Sequence, residues 1–233
     1  MLAKSNINER FAARIAPDGM DAALRMQLAA ASRRIAVERE EPVRLDESCD
    51  QLVYIAQGAT KLVAYASQGR EQIVAFHFSD DLVCVPARAT HAYSLVALTP
   101  ATLLAMSLDK VLELAAGDAE IMRNLLVTTN VSLARCREKS ITLGRKTAPE
   151  RVASFLVTMA DRAGTREGTS VLVPLPMSRR DIADSLGITI ETVSRQITRL
   201  RDTNVIETIG RSQIRILDPG RLWAGAGFLT EAK

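Results

Sequence analysis

The chain has 233 residues, of which 47% are hydrophobic and only 4% aromatic, so it can form sizeable cores that are mainly aliphatic. No apolar run reaches the ~18 residues of a membrane helix, and residues 1–20 lack the pattern of a secretion signal, so we expect a cytoplasmic protein without a membrane partner. The net charge is only +3, but residues 139–221 hold 14 Lys and Arg against 9 Asp and Glu, a surplus that is typical of a DNA-binding domain.

The first half of the chain predicts a helical segment followed by a β-domain. Residues 1–30 predict helices with a break at Pro17-Asp18-Gly19. Between residues 31 and 116, turn residues such as Gly58 and Ser79-Asp80-Asp81 separate five short apolar runs that predict strands: LVYIA, TKLVAYA, EQIVAFHF, YSLVAL and TLLAMSL. Short strands at regular spacing predict an antiparallel β-barrel or jelly roll.

A short helix is predicted from Leu108 to about Leu114, and one long helix over residues 117–146. Along the long helix, a series of positions ending at Ser140 steps by three and four residues, which is the heptad spacing of paired helices. The alternative is a helix that packs on its own domain. We predict a homodimer, with an interface formed by Met122, Leu126, Thr129, Leu133 and Cys136.

Residues 147–233 predict a winged helix-turn-helix domain. A helix is expected over Arg151–Arg162, a loop over residues 163–170 and a short strand at VLVPLPM. The stretch VIETIGRSQIRIL then predicts a two-stranded wing with Gly210-Arg211 at its tip.

Between the strand and the wing, MSRRDIADSLGITIETVSRQITRLRDTN predicts two helices joined by a tight turn. Ser178 and Asp181 have the spacing of an approximate capping box, and Gly187 supplies a turn residue with free φ. Thr189 is placed to cap the second helix. That helix has a buried side formed by Val193, Ile197 and Leu200.

The exposed side of the second helix carries side chains suited to reading DNA in the major groove. Arg195 can donate two parallel hydrogen bonds to guanine, and Glu191 can accept from cytosine and also hold Arg195 in place. Ser194 can contact a base edge or a thymine methyl group. The alternative is an ordinary surface ion pair between Glu191 and Arg195. Contacts to phosphates, which position the protein without specifying sequence, are predicted for Ser178, Arg179, Arg180, Thr189, Thr192, Arg199 and Arg211.

The segments IETVSR and GREQIVAFHFSDDLV resemble the Crp/Fnr superfamily of transcription regulators, and LPMSRRDIADSLGITIETVSR is especially similar to its FixK branch. The resemblance covers nearly the whole chain. It implies an α+β protein with a cyclic-nucleotide-binding-like β-barrel (31–116), a dimerisation helix (117–146) and a winged helix-turn-helix (147–233). It further implies a homodimeric activator that binds TTGAT- or TTGAC-type palindromes, with double-stranded DNA and RNA polymerase as partners.

The chain departs from the iron–sulfur pattern of Fnr proteins, which use N-terminal cysteines and one in the barrel. Residues 1–48 contain no cysteine, and Leu104 lies near the position of the barrel ligand. Such a cluster requires four thiolates, so we expect none. The three cysteines, Cys49, Cys84 and Cys136, form no C-x-x-C pair, and we expect buried or half-buried reduced thiols.

The residues with which relatives bind cyclic nucleotides are also missing. The corresponding stretches are Ser79-Asp80-Asp81-Leu82 and Ala92-Tyr93-Ser94, with Arg88 the nearest arginine, and the two aspartates would repel a phosphate. We therefore expect a regulator without a cofactor of its own, and no metal site or catalytic residue. A second interpretation stays open, in which the β-domain senses a small effector, haem or nitric oxide, with His77, His91 or Cys136 in a sensory role.

Overall fold

The computed structural model describes residues 7–16, 19–87 and 89–228. The chain divides into two compact units, with the boundary between Ala134 and Arg135. In the described residues, no helix is long and apolar enough to cross a membrane. Of the predicted N-terminal break, Pro17 and Asp18 lie outside the described residues.

The first unit consists of helices that flank a β-domain. Its elements are α1 (Ile7–Ile15), α2 (Ala22–Ala31), β1 (Arg33–Val37), β2 (Gln51–Gln57), β3 (Ala59–Tyr65), β4 (Glu71–Phe78), β5 (Leu82–Val85), β6 (Ala92–Ala97), β7 (Ala101–Ser107), α3 (Leu108–Ala115) and the first part of α4 (Ala119–Arg145). The predicted short helix and long helix are both present.

The strands of this unit form two antiparallel sheets, a four-stranded one in the order β1-β7-β2-β5 and a three-stranded one in the order β4-β3-β6. The predicted jelly roll is thereby confirmed, although the described strands do not close into one continuous barrel. Strands β1 and β5 are additions to the predicted set, and both lie at the edges of the four-stranded sheet.

Strand β2 is buried on both faces, which explains its continuous apolar sequence. Successive side chains of a strand point to opposite faces. Val53 and Ile55 therefore pack into the core that includes residues of the three-stranded sheet, such as Leu95. Leu52 and Tyr54 pack into a second core with residues of α1 and α3.

The turn from β2 to β3 requires glycine at position 58. Gly58 has φ +93°, and a Cβ there would lie 2.6 Å from the carbonyl oxygen of Pro100. The predicted turn residue is thus fixed both by its backbone conformation and by a close approach of the chain.

The second unit contains the end of α4 and the helix-turn-helix. Its further elements are α5 (Ala148–Ala163), β8 (Thr165–Glu167), β9 (Ser170–Pro174), α6 (Arg179–Leu186), α7 (Ile190–Asp202), β10 (Ile206–Ile209), β11 (Gln213–Ile216) and α8 (Pro219–Ala224).

The predicted wing is correct as a β10–β11 hairpin, but it belongs to a four-stranded sheet in the order β10-β11-β9-β8. The prediction of a loop over residues 163–170 was wrong for Thr165–Glu167, which pairs with β9. All three β8 residues are exposed, so no burial pattern marks this strand in the sequence. Its partner, the free edge of β9, is what stabilises it.

Candidate nucleic-acid interface

Helix α6 begins with the predicted capping box, which the structure confirms in both directions. The Ser178 hydroxyl accepts a hydrogen bond from the Asp181 amide at 3.1 Å, and the Asp181 carboxylate accepts one from the Ser178 amide at 2.8 Å. These bonds satisfy two donors that the first turn of a helix otherwise leaves without partners. They fix the start of α6, whose Ile182 and Leu186 are buried.

The turn between the two helices is made by Gly187, as predicted. Gly187 has φ +61° and ψ 40°, the left-handed conformation that ends many helices. Residues with a Cβ are strained in this conformation, by roughly 1–2 kcal/mol. The turn is therefore tight, and only three residues, 187–189, separate α6 from α7.

Helix α7 is capped by the Thr189 hydroxyl, which accepts from the Thr192 amide at 3.3 Å. On its inner side Val193 and Ile197 are buried, whereas Leu200 is only half-buried. The outer side exposes the three predicted base-reading residues and Thr198, one turn further along. Thr198 was not assigned a role from sequence, although its spacing from Ser194 places it on the same face.

Arg195 and Glu191 are both exposed but do not pair with each other in the described residues. The Arg195 Nη2 atom donates to the Thr192 hydroxyl at 3.5 Å instead. Hydrogen bonds from its own backbone amide and from the Thr189 hydroxyl lower the pKa of Glu191. The two charged side chains are thus not neutralised by an ion pair, and both remain accessible for hydrogen bonds to bases.

The arginines of the second unit fall into two groups according to their partners. Arg215 bridges Glu207 at 2.8 Å and Glu167 at 3.3 Å, and Arg201 contacts Asp202 at 3.1 Å. The other group includes the exposed arginines predicted to contact phosphate, which form no ion pair with a carboxylate in the described part of the chain: Arg180, Arg199 and Arg211.

The remaining predicted phosphate contacts lie at the ends of α6 and α7. Ser178 and Thr189 are exposed N-cap residues, and Thr192 is half-buried. Arg179 is half-buried as well, and this burial lowers its pKa. Arg211 follows Gly210 at the tip of the β10–β11 hairpin.

Helix α4 exposes the five residues predicted to form the dimer interface, which we call the dimer stripe: Met122, Leu126, Thr129, Leu133 and Cys136. Met122 is 38% exposed, Leu126 62% and Leu133 44%. The Thr129 hydroxyl donates to the Leu125 carbonyl within the helix at 2.8 Å. Burial of Thr129 would therefore not leave its O–H donor without an acceptor. Val127 and Val131 are also exposed on α4, and the heptad pattern did not select them.

The expectation of buried or half-buried cysteines holds only for Cys49, which is half-buried. Cys84 and Cys136 are exposed. Cys84 belongs to the edge strand β5, and Cys136 lies on the dimer stripe. Burial of the atoms around its sulfur, together with the nearby Asp50, nevertheless raises the pKa of Cys84.

The aspartates at the β4–β5 turn serve the fold of the first unit. Asp80 accepts hydrogen bonds from Arg10 at 2.7 Å and from the Tyr54 hydroxyl at 2.5 Å, and the amide of Phe78 donates to Asp81 at 2.8 Å. Burial alone would raise the pKa of Asp80, but the bonds from Tyr54 and Arg10 outweigh it and lower the pKa. Of the other predicted features, Arg88 lies outside the described residues.

The structure places the two predicted sensory histidines in different elements of the first unit. His77 lies in β4 with its Nδ1 atom 3.8 Å from Asp81, and His91 is exposed in the segment before β6. Leu104 is buried in the core shared with α1. In residues 7–16, 19–87 and 89–228, no group of three or more His, Cys, Asp or Glu side chains is arranged to hold a metal ion.

Two family models match the chain. A cyclic nucleotide-binding domain matches residues 38–118, and a Crp-like helix-turn-helix domain matches residues 150–224. The two matches correspond to the jelly roll and to the unit that contains α6 and α7.

Several curated regulators are similar over most of the chain. The nitrogen fixation regulation protein FixK of Rhizobium meliloti is 34% identical over 178 residues, which cover 76% of this chain and 78% of that protein. The FixK of Bradyrhizobium diazoefficiens is 32% identical over 206 residues, with 88% and 86% covered. The transcriptional activator protein Anr of Pseudomonas protegens is 32% identical over 190 residues, with 81% and 78% covered.

Solved structures show the same fold. FixK2 from Bradyrhizobium japonicum has a TM-score of 0.74 at 28% identity, and the match covers 85% of this chain and 99% of that one. A CooA mutant from Carboxydothermus hydrogenoformans also has a TM-score of 0.74, covering 97% and 98%, but at 17% identity this shows likeness of fold alone.

Proposed function

The chain belongs to the Crp/Fnr family of DNA-binding transcription regulators, in its FixK-like branch, and we propose that it binds TTGAT- or TTGAC-type palindromes as a homodimer. In each half-site Arg195 and Glu191 read the central G·C pair, and Ser194 contacts a neighbouring base. The observation that carries this proposal is the exposed face of α7, where Arg195 has no carboxylate partner in the described residues. A bidentate arginine–guanine contact discriminates against a wrong base by about 1–3 kcal/mol.

Phosphate contacts around α7 would fix the register of the recognition helix on the duplex. We assign these contacts to Ser178, Arg179, Arg180, Thr189, Thr192, Arg199 and Arg211. The exposed arginines among them support this assignment, because no carboxylate competes with a phosphate for them in the described part of the chain. Such contacts release counterions and make the affinity fall with salt.

The second copy of the chain would cover the dimer stripe of α4. Leu126 is 62% exposed and Leu133 is 44% exposed. A partner helix that removes these side chains from water would stabilise the dimer. A helix-turn-helix dimer also needs such an element in order to hold two recognition helices at a fixed spacing.

We further propose that the protein works in the cytoplasm, contacts RNA polymerase as an activator and needs no cofactor of its own. The hydrogen bonds that Asp80 accepts from Arg10 and Tyr54 support the absence of a cofactor, because they give this carboxylate a structural role at the β4–β5 turn. The alternative is a regulator whose β-domain senses a small effector, haem or nitric oxide, and it is tested by an absorption spectrum with added haemin and by thermal shifts across a panel of metabolites. A Soret band that shifts on binding would contradict the cofactor-free proposal.

The experiment that tests the proposal is a gel shift at a stated salt concentration. The probe is a TTGAT-N4-ATCAA duplex, and the control is a duplex of the same composition with both half-sites scrambled. Specific regulators typically exceed their non-specific affinity by about 10³-fold or more. We expect at least that ratio, and equal affinity for the two duplexes would contradict the proposed half-site.

A further inference from the structure

Arg151, near the start of α5, uses its guanidinium to bind three backbone carbonyl groups. Its Nε atom donates to the carbonyl of Lys146 at 2.9 Å, and Nη2 donates to that of Leu143 at 2.7 Å. The third bond, from Nη1, reaches the carbonyl of Leu186 at 2.9 Å. Each of the three guanidinium nitrogens therefore donates one hydrogen bond to the backbone, which uses three of the five N–H donors of arginine.

The carbonyls that Arg151 binds belong to the C-terminal ends of two helices. Leu143 lies in the last turn of α4, Lys146 follows the end of α4, and Leu186 is the last residue of α6. The last four carbonyls of a helix have no partner within the helix, and the helix dipole places negative charge there. One cation thus bonds a carbonyl at the end of each helix and joins the two ends.

The same place in the fold includes the turn of the helix-turn-helix. A Cβ built on Gly187 would have as its nearest neighbours the Nη1 atom of Arg151 and the Cδ2 atom of Leu143, both at 3.7 Å. The turn before α7, the end of α4 and the Arg151 guanidinium therefore meet at one point of the second unit.

A second polar contact joins α4 to α6 independently of Arg151. The Nζ atom of Lys139, on α4, donates to the hydroxyl of Ser185, on α6, at 2.9 Å. Ser185 is buried and Lys139 is half-buried, so this bond is partly shielded from water. Helix α6 is consequently held to the end of α4 at two points, through its backbone and through a side chain.

We propose that Arg151 is a positioning residue that fixes the helix-turn-helix on the end of α4 and thereby sets the spacing between half-sites that the dimer accepts. This inference rests on the proposed homodimer. One added base pair turns the second half-site by about 34–36° around the duplex. A rigid joint between α4 and α6 prevents the second recognition helix from following that rotation, whereas a loosened joint permits it.

The test compares Arg151→Met with the unaltered protein on palindromes whose half-sites are separated by four or five base pairs. We expect the unaltered protein to prefer the four-base-pair spacing strongly. In Arg151→Met this preference should fall by about tenfold, equivalent to about 1.4 kcal/mol, while the preference for guanine in each half-site stays unchanged. Arg166→Met is the matched control, because Arg166 is an exposed arginine of β8, and it should keep the spacing preference.

The outcomes separate this inference from the function on which it rests. If Arg151→Met binds both spacings more weakly by the same factor, Arg151 only stabilises the fold and the inference is overturned. If the unaltered protein shows no spacing preference, the proposed palindrome-binding dimer fails first. If circular dichroism shows that Arg151→Met does not fold, Arg151→Lys, which keeps the positive charge but loses the planar fork of donors, decides the question. An unchanged spacing preference in Arg151→Lys would overturn the inference, and a reduced one would support it.

Discussion

Lys139 is a half-buried lysine whose charge the fold makes costly. Burial lowers its pKa from the ordinary 10.5 to about 8, although its Nζ atom donates to Ser185. The unfolded chain therefore keeps a proton on this group in the window between pH 8 and 10.5, where the folded protein has lost it. Stability rises with pH wherever the unfolded state binds more protons.

The lowered pKa of Lys139 therefore predicts that the free energy of unfolding, measured in urea, rises with pH. Relative to Lys139→Met, the free energy of unfolding of the unaltered protein should rise by about 1–2 kcal/mol between pH 8 and about pH 9.5. The variant is its own control for other titrating groups, because it retains them all. Parallel pH profiles for the two proteins would show that Lys139 carries no such penalty.

At the same scale, the capping residues were predictable because their signal is local, whereas ion pairs were not. Ser178 and Asp181 stand three residues apart, and their mutual bonds follow from that spacing. The contact of Arg10 with Asp80 joins residues 70 positions apart, and no sequence pattern reports it. Glu191 and Arg195 had the spacing of a pair, yet hydrogen bonds to Thr189 and Thr192 compete with it.

Among the elements, α4 carries the dimer stripe, and Leu126 is its most exposed apolar residue. Replacement of Leu126 with glutamate places a negative charge within the proposed interface in both copies. Burial of one leucine contributes about 1.5–3 kcal/mol, so losing two should raise the dissociation constant of the dimer about 100-fold or more. Analytical ultracentrifugation of Leu126→Glu should therefore show monomers at concentrations where the unaltered protein is dimeric.

The control for this prediction is Leu112→Glu. Leu112 is an exposed leucine of α3, 38% exposed, outside the dimer stripe. This variant should remain dimeric and keep its affinity for the palindrome. A dimeric Leu126→Glu protein would instead assign the interface to another surface, such as the side of α4 that exposes Val127 and Val131.

Elements with a strong periodic pattern of apolar residues were predictable from the sequence, whereas short elements that depend on a neighbouring element were not. The heptad spacing selected α4, and the cap, turn and buried side selected α6 and α7. Strand β8 has three exposed residues and exists because β9 offers it an edge. Helix α8 was missed, although Asp218 as its N-cap and Pro219 in its first turn are both helix-start signals.

Across the whole molecule, the order of the jelly roll, α4 and the helix-turn-helix was predictable, because each has its own composition and period. The charge surplus of residues 139–221 was equally visible. The sequence could not show which arginines are available to DNA. In the part of the chain that the structure describes, Arg215 and Arg201 are paired with carboxylates, and Arg195 is not. Which arginines pair with carboxylates depends on strand pairing and on the faces of the helices. The structure therefore identifies individual arginines, whereas the sequence shows only a surplus of positive charge.

The proposed function depends above all on Arg195, which should read the central guanine of each half-site. The most direct measurement is the affinity of the unaltered protein and of Arg195→Ala for two duplexes, the palindrome and the same duplex with A·T in place of that G·C pair. We predict that the base change costs the unaltered protein about 1–3 kcal/mol per half-site and costs Arg195→Ala almost nothing. If Arg195→Ala distinguishes the two duplexes as well as the unaltered protein does, another residue reads the guanine and the account is wrong.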